Sequence, residues 1–461
     1  MNQVAETQIK KEPVNGPNAN IGFATLVALV IANMIGAGVF SSSGFSMAAL
    51  GNPSRIMLAW AICGAWAMCG AIAYGALAAR LPLSGGEYLF LSRLVHPSVG
   101  FLAGWISLIA GFTAPIAVAA KAAARYGLPT GWDTVSQNLA ASALIAIVAA
   151  TLWLGISIGS RIQNLVVIVK LCLLAAVAVW ALVFAPATVW QGAALPDQNP
   201  STLPSDFSSW MVLVGSMSWI ALSYTGFNAA VYVAGSASNA RKSVPRAMII
   251  ATALVTVFYL VLNYIFVFAP QPELIAGKPE VAAIAAQSVG GDRLENLVRI
   301  SVTLSMISSV FAMLLAGPRV YQRMAADGVM PKIFLEGGGS PKAALLLQAT
   351  LSIVAVFIAG LLGLMEYLGL TLSACGALTI LSLLWVGRKY PEMKRLSWLE
   401  LTATLCYLAM TAALIAASYW EQTDKFYAMA VTFAVGLVVY IAAKSSSSQS
   451  PTHQIHGTTD G

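Results

Sequence analysis

The chain has 461 residues, of which 58% are hydrophobic and 9% charged. Soluble domains carry about 25% charged residues, so a soluble fold of this size is excluded and the bilayer is the solvent. The formal net charge of +7 then reports orientation in a membrane rather than nucleic-acid binding.

Residues 1–20 are polar and read as a disordered cytoplasmic tail, with no cleavable signal peptide. Runs of about 20 apolar residues then give twelve candidate spans at 21–47, 54–80, 98–121, 136–157, 162–185, 208–235, 245–269, 296–318, 343–364, 366–387, 397–418 and 426–444. The first contains "ANMIGAGVF" (32–40). Gly36 and Gly38 there cost roughly 1 kcal/mol each in a helix interior, and any freed backbone group needs a partner away from water. The pattern predicts a break in the helix at mid-depth.

Between the second and third spans, "SGGEYLFLSRLVHP" (84–97) is amphipathic and too short to span, which places it at the cytoplasmic interface. Phe112 and Thr113 in the third span are weaker pocket candidates. The fifth span holds Lys170. With both termini inside, 17 of the 25 lysines and arginines fall on the cytoplasmic side and 7 outside, and Lys170 alone has no surface to occupy. It lies about ten residues past Arg161, roughly 15 Å deep at 1.5 Å per residue. A cation at that depth is a functional hypothesis by default. No embedded carboxylate is expected elsewhere, so its partners are free carbonyls of the broken first helix, with hydroxyls from Ser308 and Ser309 of the eighth span.

The sixth span repeats the oddity of the first. "IALSYTGFNAAVYVAGS" (220–236) puts Gly226 among Ser223, Tyr224, Thr225 and Asn228, with Phe227 beside it. The first and sixth spans correspond if the first ten form two inverted repeats of five, and interrupted helices at matching positions point to a transporter's binding site. Glycines also let helices pack closely, but two breaks flanked by polar residues favour a site. Unwinding frees N–H groups at the start of one half-helix and C=O groups at the end of the other, a match for a carboxylate and an ammonium respectively. The substrate site is therefore assigned to Met34, Ile35, Gly36, Ala37, Gly38, Ser223, Tyr224, Thr225, Gly226, Phe227 and Asn228. The amides of Gly36 to Gly38 would take the carboxylate, and the carbonyls of Met34, Ser223 and Tyr224 the ammonium.

The remaining features are bland. Loops 186–207 and 270–295 are rich in Pro, Gly and acidic residues, and 445–461 is a serine-rich tail, read as disordered. The histidines, His96, His453 and His456, lie outside every span, so neither a metal site nor a histidine-based catalytic centre is expected. The five cysteines all fall within apolar segments, which argues against a disulfide framework.

Four motifs in order make the chain resemble the amino acid–polyamine–organocation transporters, closest to the L-type amino acid transporter group and its bacterial relatives. They are "IGAGVF" (35–40), "SGGEYLFLSRLVHPSVGFLAGW" (84–105), "SYTGFNAAVYVAG" with "NARKSVPRAM" (239–248), and "GPRVYQRMAADGVMPKIF" (317–334). The resemblance implies the LeuT-type fold, an all-α membrane domain over 21–444 with repeat one at 21–185, repeat two at 208–387 and two extra helices at 397–444. It also implies that the helix-five lysine takes the place of a sodium ion. The chain departs from the family at Ser236, where an acid is usual, and at Leu222, where many relatives have an aromatic gate. The loop after the third span lacks the cysteine that joins animal relatives to an accessory glycoprotein.

The combined expectation is a sodium-independent permease for neutral amino acids in the cell membrane, working by alternating access without an accessory chain or cofactor. It is not an enzyme. An amine or polyamine carrier of the same fold is the alternative. Proton symport and exchange, and monomer and homodimer, are left open.

Overall fold

The computed structural model describes residues 21–335 and 342–448, apart from 130, 155–168, 170, 171, 191, 196–200, 202, 392 and 394. The first part of the fifth predicted span, including Lys170, lies outside the described residues, as do both distal tails. Among the described residues every long element is a helix, and the one β contact is an isolated parallel bridge between Ile21 and Ala237. Ten helices of the described residues are long and apolar enough to cross a membrane, so the chain reads as a multi-pass membrane protein whose described elements are helical.

The first span is two helices, α1 (Phe23–Met34) and α2 (Ala37–Leu50). Next comes α3 (Pro53–Arg80), capped by the Asn52 side chain, which accepts from the Ser54 amide at 2.9 Å. Pro53 sits in its first turn, where a missing N–H has no helical partner to lose. At the other end, the Arg80 guanidinium bonds both carboxylate oxygens of Glu400, at 3.1 and 2.9 Å.

Two short helices follow, α4 (Gly86–Leu94) and α5 (Pro97–Ile106), and α5 runs through a wide π turn, Ser107–Thr113, into α6 (Ala114–Gly127). Pro115 has no N–H to offer Gly111, and the Ala114 amide reaches back to Ile109. The helix therefore widens for one turn rather than ending. Then come α7 (Thr134–Leu154) and α8 (Cys172–Phe184).

The sixth span begins with α9 (Phe207–Tyr224), whose first turn donates the Ser209 amide to Asp206 at 2.7 Å. That bond holds the Asp206 carboxyl below its ordinary range. The span continues as a 3-10 segment, Ala229–Ser236. After it come α10 (Ala240–Phe268), α11 (Pro272–Ile275), α12 (Val281–Ala326), α13 (Lys342–Ile358), α14 (Leu361–Lys389), α15 (Trp398–Glu421) and α16 (Thr423–Ser448). In the packing, α10 lies along α3 and α1, α9 rests on α14 and α2, and α12 rests on α6.

Four expectations need correction. Segment 84–97 does not present a free polar face to water: α4 buries Gly86, Glu87, Tyr88, Leu89, Phe90, Leu91 and Leu94 against the rest of the protein. Its acid is hydrogen-bonded inside the protein, so the amphipathic pattern did not require water. The 270–295 loop instead holds α11 and the first arm of α12, which turns at Gly290 and Gly291 (φ 64°) before its membrane-crossing arm. The ninth predicted span is shorter than expected, because Gly360 caps the start of α14. Finally, α16 runs on to Ser448, past the predicted limit at 444; once a helix is formed, each further residue adds a bond at little cost. All five cysteines are free.

Candidate functional site

The helix stops twice in the middle of the bundle, and the two stops touch. After Met34, Ile35 and Gly36 are extended (Gly36 φ −131°, ψ −159°), and α2 resumes at Ala37. Any residue can adopt that backbone, and an added Cβ would meet no atom within 4 Å, so the packing itself does not require glycine at 36. Gly38 is different, since a Cβ there would lie 2.3 Å from Ser223 Oγ and 2.9 Å from Ser223 Cα. Its absent side chain lets α2 press against α9. In the second break, Gly226 has φ +99°, and a Cβ would fall 2.9 Å from the Asn33 carbonyl carbon and oxygen. Both the left-handed backbone and the close approach require glycine.

The ends created by these breaks have opposite polarity. No side chain caps the N-terminus of α2, so the first amides of that helix have no intrahelical acceptor. Gly36, Ala37 and Gly38 line a cavity of about 1110 Å³, at the upper end of what small-molecule sites require. On the carbonyl side, the Tyr259 hydroxyl of α10 approaches both Met34 O (2.6 Å) and Ser223 O (2.9 Å). A phenol has one proton to give, and each carbonyl has two lone pairs. Tyr259 thus ties the two broken ends together while leaving each carbonyl with acceptor capacity.

Tyr259 is held by aromatic neighbours. Its ring lies edge-on to Trp60 (5.5 Å) and Tyr224 (5.2 Å). The Tyr224 hydroxyl donates to Trp60 O at 3.1 Å, and Trp60 Nε1 donates to Ser43 Oγ, which donates to Asn263 at 2.6 Å. The network joins α2, α3, α9 and α10 behind the cavity.

Of the residues singled out in the sequence, Met34, Gly36, Ala37, Gly38, Ser223, Thr225, Gly226, Phe227, Asn228, Ser308 and Ser309 line this one cavity, as does Phe112. Ile35 and Tyr224 do not; both are buried in the apolar core. Thr113 instead accepts from Gln348 Nε2 at 3.0 Å.

Two residues were missed. Tyr259 carries no sequence signal, being an aromatic in an apolar helix. The other is Glu87, which overturns the expectation that the interior holds no carboxylate. It is 7% exposed and lines the same cavity. Oε1 accepts from Tyr74 Oη at 2.5 Å and from Asn228 Nδ2 at 3.2 Å, and Oε2 accepts from Cys375 Sγ at 3.2 Å. Tyr74 lies six residues before Arg80, so the carboxylate sits roughly 9 Å inside the Arg80–Glu400 pair at 1.5 Å per residue. Burial raises the Glu87 carboxyl above the ordinary range, against the lowering effect of the Tyr74 and Cys375 bonds. What puts it there is the turn at Gly85 and Gly86 (φ +139° and +58°), where a Cβ at 86 would collide with the Tyr232 ring at 2.3 Å. A lone acid followed by "YLFL" after two glycines was the available signal.

The cavity's lining extends to Ala24 and Thr25 at the start of α1, and includes Ser84, which accepts from the Gly235 amide next to the Ile21–Ser236 contact. The other end is sealed. Gly277 donates to Gly44 O at 2.8 Å, and the Tyr126 hydroxyl, with one proton to give, lies between Phe40 O (2.8 Å) and Pro279 O (3.2 Å). A Cβ at Gly44 would stand 1.8 Å from Lys278 O, a backbone atom. Gly44→Ala should therefore lift segment 272–283 off α2, raising hydrogen exchange of its amides and lowering uptake. Unchanged exchange would show that the seal is held by something else.

A family model described as "Amino acid permease" matches residues 21–442. The methylthioribose transporter of Bacillus subtilis (strain 168) is 24% identical over 80% of this chain and 81% of its own. Human large neutral amino acids transporter small subunit 2 is 24% identical over 87% of this chain and 76% of its own. Human Asc-type amino acid transporter 1 is 24% identical over 87% and 78% respectively.

Proposed function

The chain belongs to the amino acid permease family, and we propose that it carries neutral amino acids across the cell membrane by alternating access, without sodium. The observation that carries this reading is the meeting of two helix breaks at one cavity, with uncapped amides on one side and carbonyls on the other. The amides of Gly36, Ala37 and Gly38 hold the carboxylate. The remaining lone pairs of Met34 and Ser223 hold the ammonium. Asn228, already tied to Glu87, closes the substrate side chain's end of the cavity together with Phe227. The names of the two human relatives support amino acids as the substrate class, and the first supports neutral ones.

The same reading takes α8 and α13 as the fifth and ninth of twelve spans in a LeuT-type repeat, with both termini cytoplasmic and no accessory subunit. Lys170 supplies the cation that sodium supplies elsewhere, organising free carbonyls near Ser308 and Ser309. Purified protein in liposomes should take up radiolabelled leucine or alanine with sodium replaced by choline. Lys170→Ala should insert but transport little, because each carbonyl left unpaired costs about 1–3 kcal/mol. Lys170→Arg should recover part of the rate, since a planar guanidinium cannot mimic a compact point charge. Uptake that collapses without sodium, or full activity in Lys170→Ala, would sink the idea.

Glu87 gives the amine or polyamine alternative a specific observation, because a buried acid beside the cavity suits a cationic substrate end. Competition by arginine and putrescine against leucine separates the two readings: strong competition by the cations favours the alternative.

A further inference from the structure

We infer that Glu87 is the proton-binding group of the transport cycle, and that its protonation is coupled to the geometry of the second helix break through Asn228. The inference rests on the permease reading above and adds the coupling ion and the residue that carries it.

The argument starts from the donors around the carboxylate. Tyr74, Asn228 and Cys375 all point hydrogens at it. The titratable groups that face it from other elements are Tyr74 of α3, Tyr232 of the 3-10 segment, Cys375 of α14 and Tyr407 of α15. Helix α5, packed on α4, has no titratable side chain over Pro97–Ile106. On α4 itself, Tyr88 is turned to Asp327 at 2.8 Å, and Arg93 lies six residues along the helix. Among the described residues no salt bridge joins Glu87 to a cation. A buried carboxylate satisfied only by neutral donors can take a proton without breaking an ion pair.

The three donors respond differently to that proton. A phenol can turn from donor to acceptor, and a thiol can accept weakly, but the amide nitrogen of Asn228 can only donate. Protonation on Oε1, the oxygen that Asn228 uses, makes it a much poorer acceptor and so loosens the already long Asn228 bond, while Tyr74 is able to reverse. Asn228 ends the non-helical link after Tyr224 and caps the 3-10 segment. Proton occupancy is thus written directly into the backbone that the substrate site is built on. The step is a plain association: the carboxylate takes one proton from the aqueous cavity to become the acid, and returns it when the cavity faces the other side.

The test uses purified full-length protein in liposomes with radiolabelled leucine and alanine, an internal pH-sensitive dye, and the variants Glu87→Gln and Glu87→Asp. In wild type, an acidic exterior should stimulate uptake severalfold and uptake should acidify the lumen. Counterflow, measured with no imposed gradient, should vary with pH. In Glu87→Gln the gradient stimulation and lumen acidification should vanish, and whatever counterflow remains should be flat with pH. Glu87→Asp should restore a pH-dependent profile. Infrared difference spectra give a readout that needs no substrate: a buried carboxylic acid C=O band that titrates in wild type should be missing in Glu87→Gln and displaced in Glu87→Asp. Gradient stimulation that survives in Glu87→Gln overturns the inference, and so does a wild type that shows counterflow but neither gradient stimulation nor lumen acidification on net uptake, which leaves the permease reading standing. Absence of counterflow with either amino acid overturns both.

Discussion

Gly36→Ala will fold normally and lose affinity for substrate, whereas Gly38→Ala will lose stability. The two glycines are two residues apart and look equivalent in the sequence. In the structure a methyl at 36 meets nothing within 4 Å and projects into the cavity where the substrate carboxylate is proposed to sit. Overfilling the occupied site costs about 1–3 kcal/mol, which is roughly fivefold to 150-fold in affinity. At 38 the same methyl is driven into Ser223 Oγ and Cα, and α2 and α9 must part. Direct binding measurements and thermal unfolding of the purified variants separate these outcomes. Wild-type affinity in Gly36→Ala would remove the substrate from the first break.

Tyr259→Phe will cut transport by one to two orders of magnitude. The ring and its contacts with Trp60 and Tyr224 stay, so packing is preserved. Only the hydroxyl goes, and with it the donor shared by Met34 O and Ser223 O. Leaving a buried acceptor unsatisfied costs about 1–3 kcal/mol, and here the loss falls on the link between the two broken ends. Tyr224→Phe is the matched control, since its hydroxyl serves Trp60 O and does not line the cavity. Initial uptake rates should fall far more for Tyr259→Phe. Equal rates in the two variants would show that tying the breaks together has no bearing on transport.

The breaks were readable because glycine in a membrane helix is a local signal with a local cost, and Gly36 and Gly226 stand where the helix departs from its course, with Gly38 in the first turn after the break. The apolar runs placed the ten long helices for a similar reason: bilayer thickness sets a length that a sequence window can measure. What escaped was set by tertiary structure. Glu87 looked like the polar face of an interfacial helix, and nothing local says that two glycines fold that helix into the bundle. The two carbonyls of Met34 and Ser223 could be placed from the sequence, but not the phenol that reaches them from 36 residues beyond Ser223. The first arm of α12 was hidden by Gly290 and Gly291, which read as loop and act as a corner.

The seal formed by Gly44, Tyr126 and segment 277–279 has a consequence for the two faces of the membrane. A ligand arriving from the sealed face meets a competent site only in the fraction of molecules whose seal is open, and its apparent dissociation constant is the intrinsic one divided by that fraction. From the face toward which the cavity extends past Ala24 and Thr25, no such division applies while this arrangement prevails. One set of contacts therefore presents a high half-saturation concentration to one compartment and a low one to the other. In the absence of a driving gradient a carrier cannot accumulate its cargo, so the maximal rates in the two directions must differ by the same factor. The weaker-binding face is then the faster one at saturation.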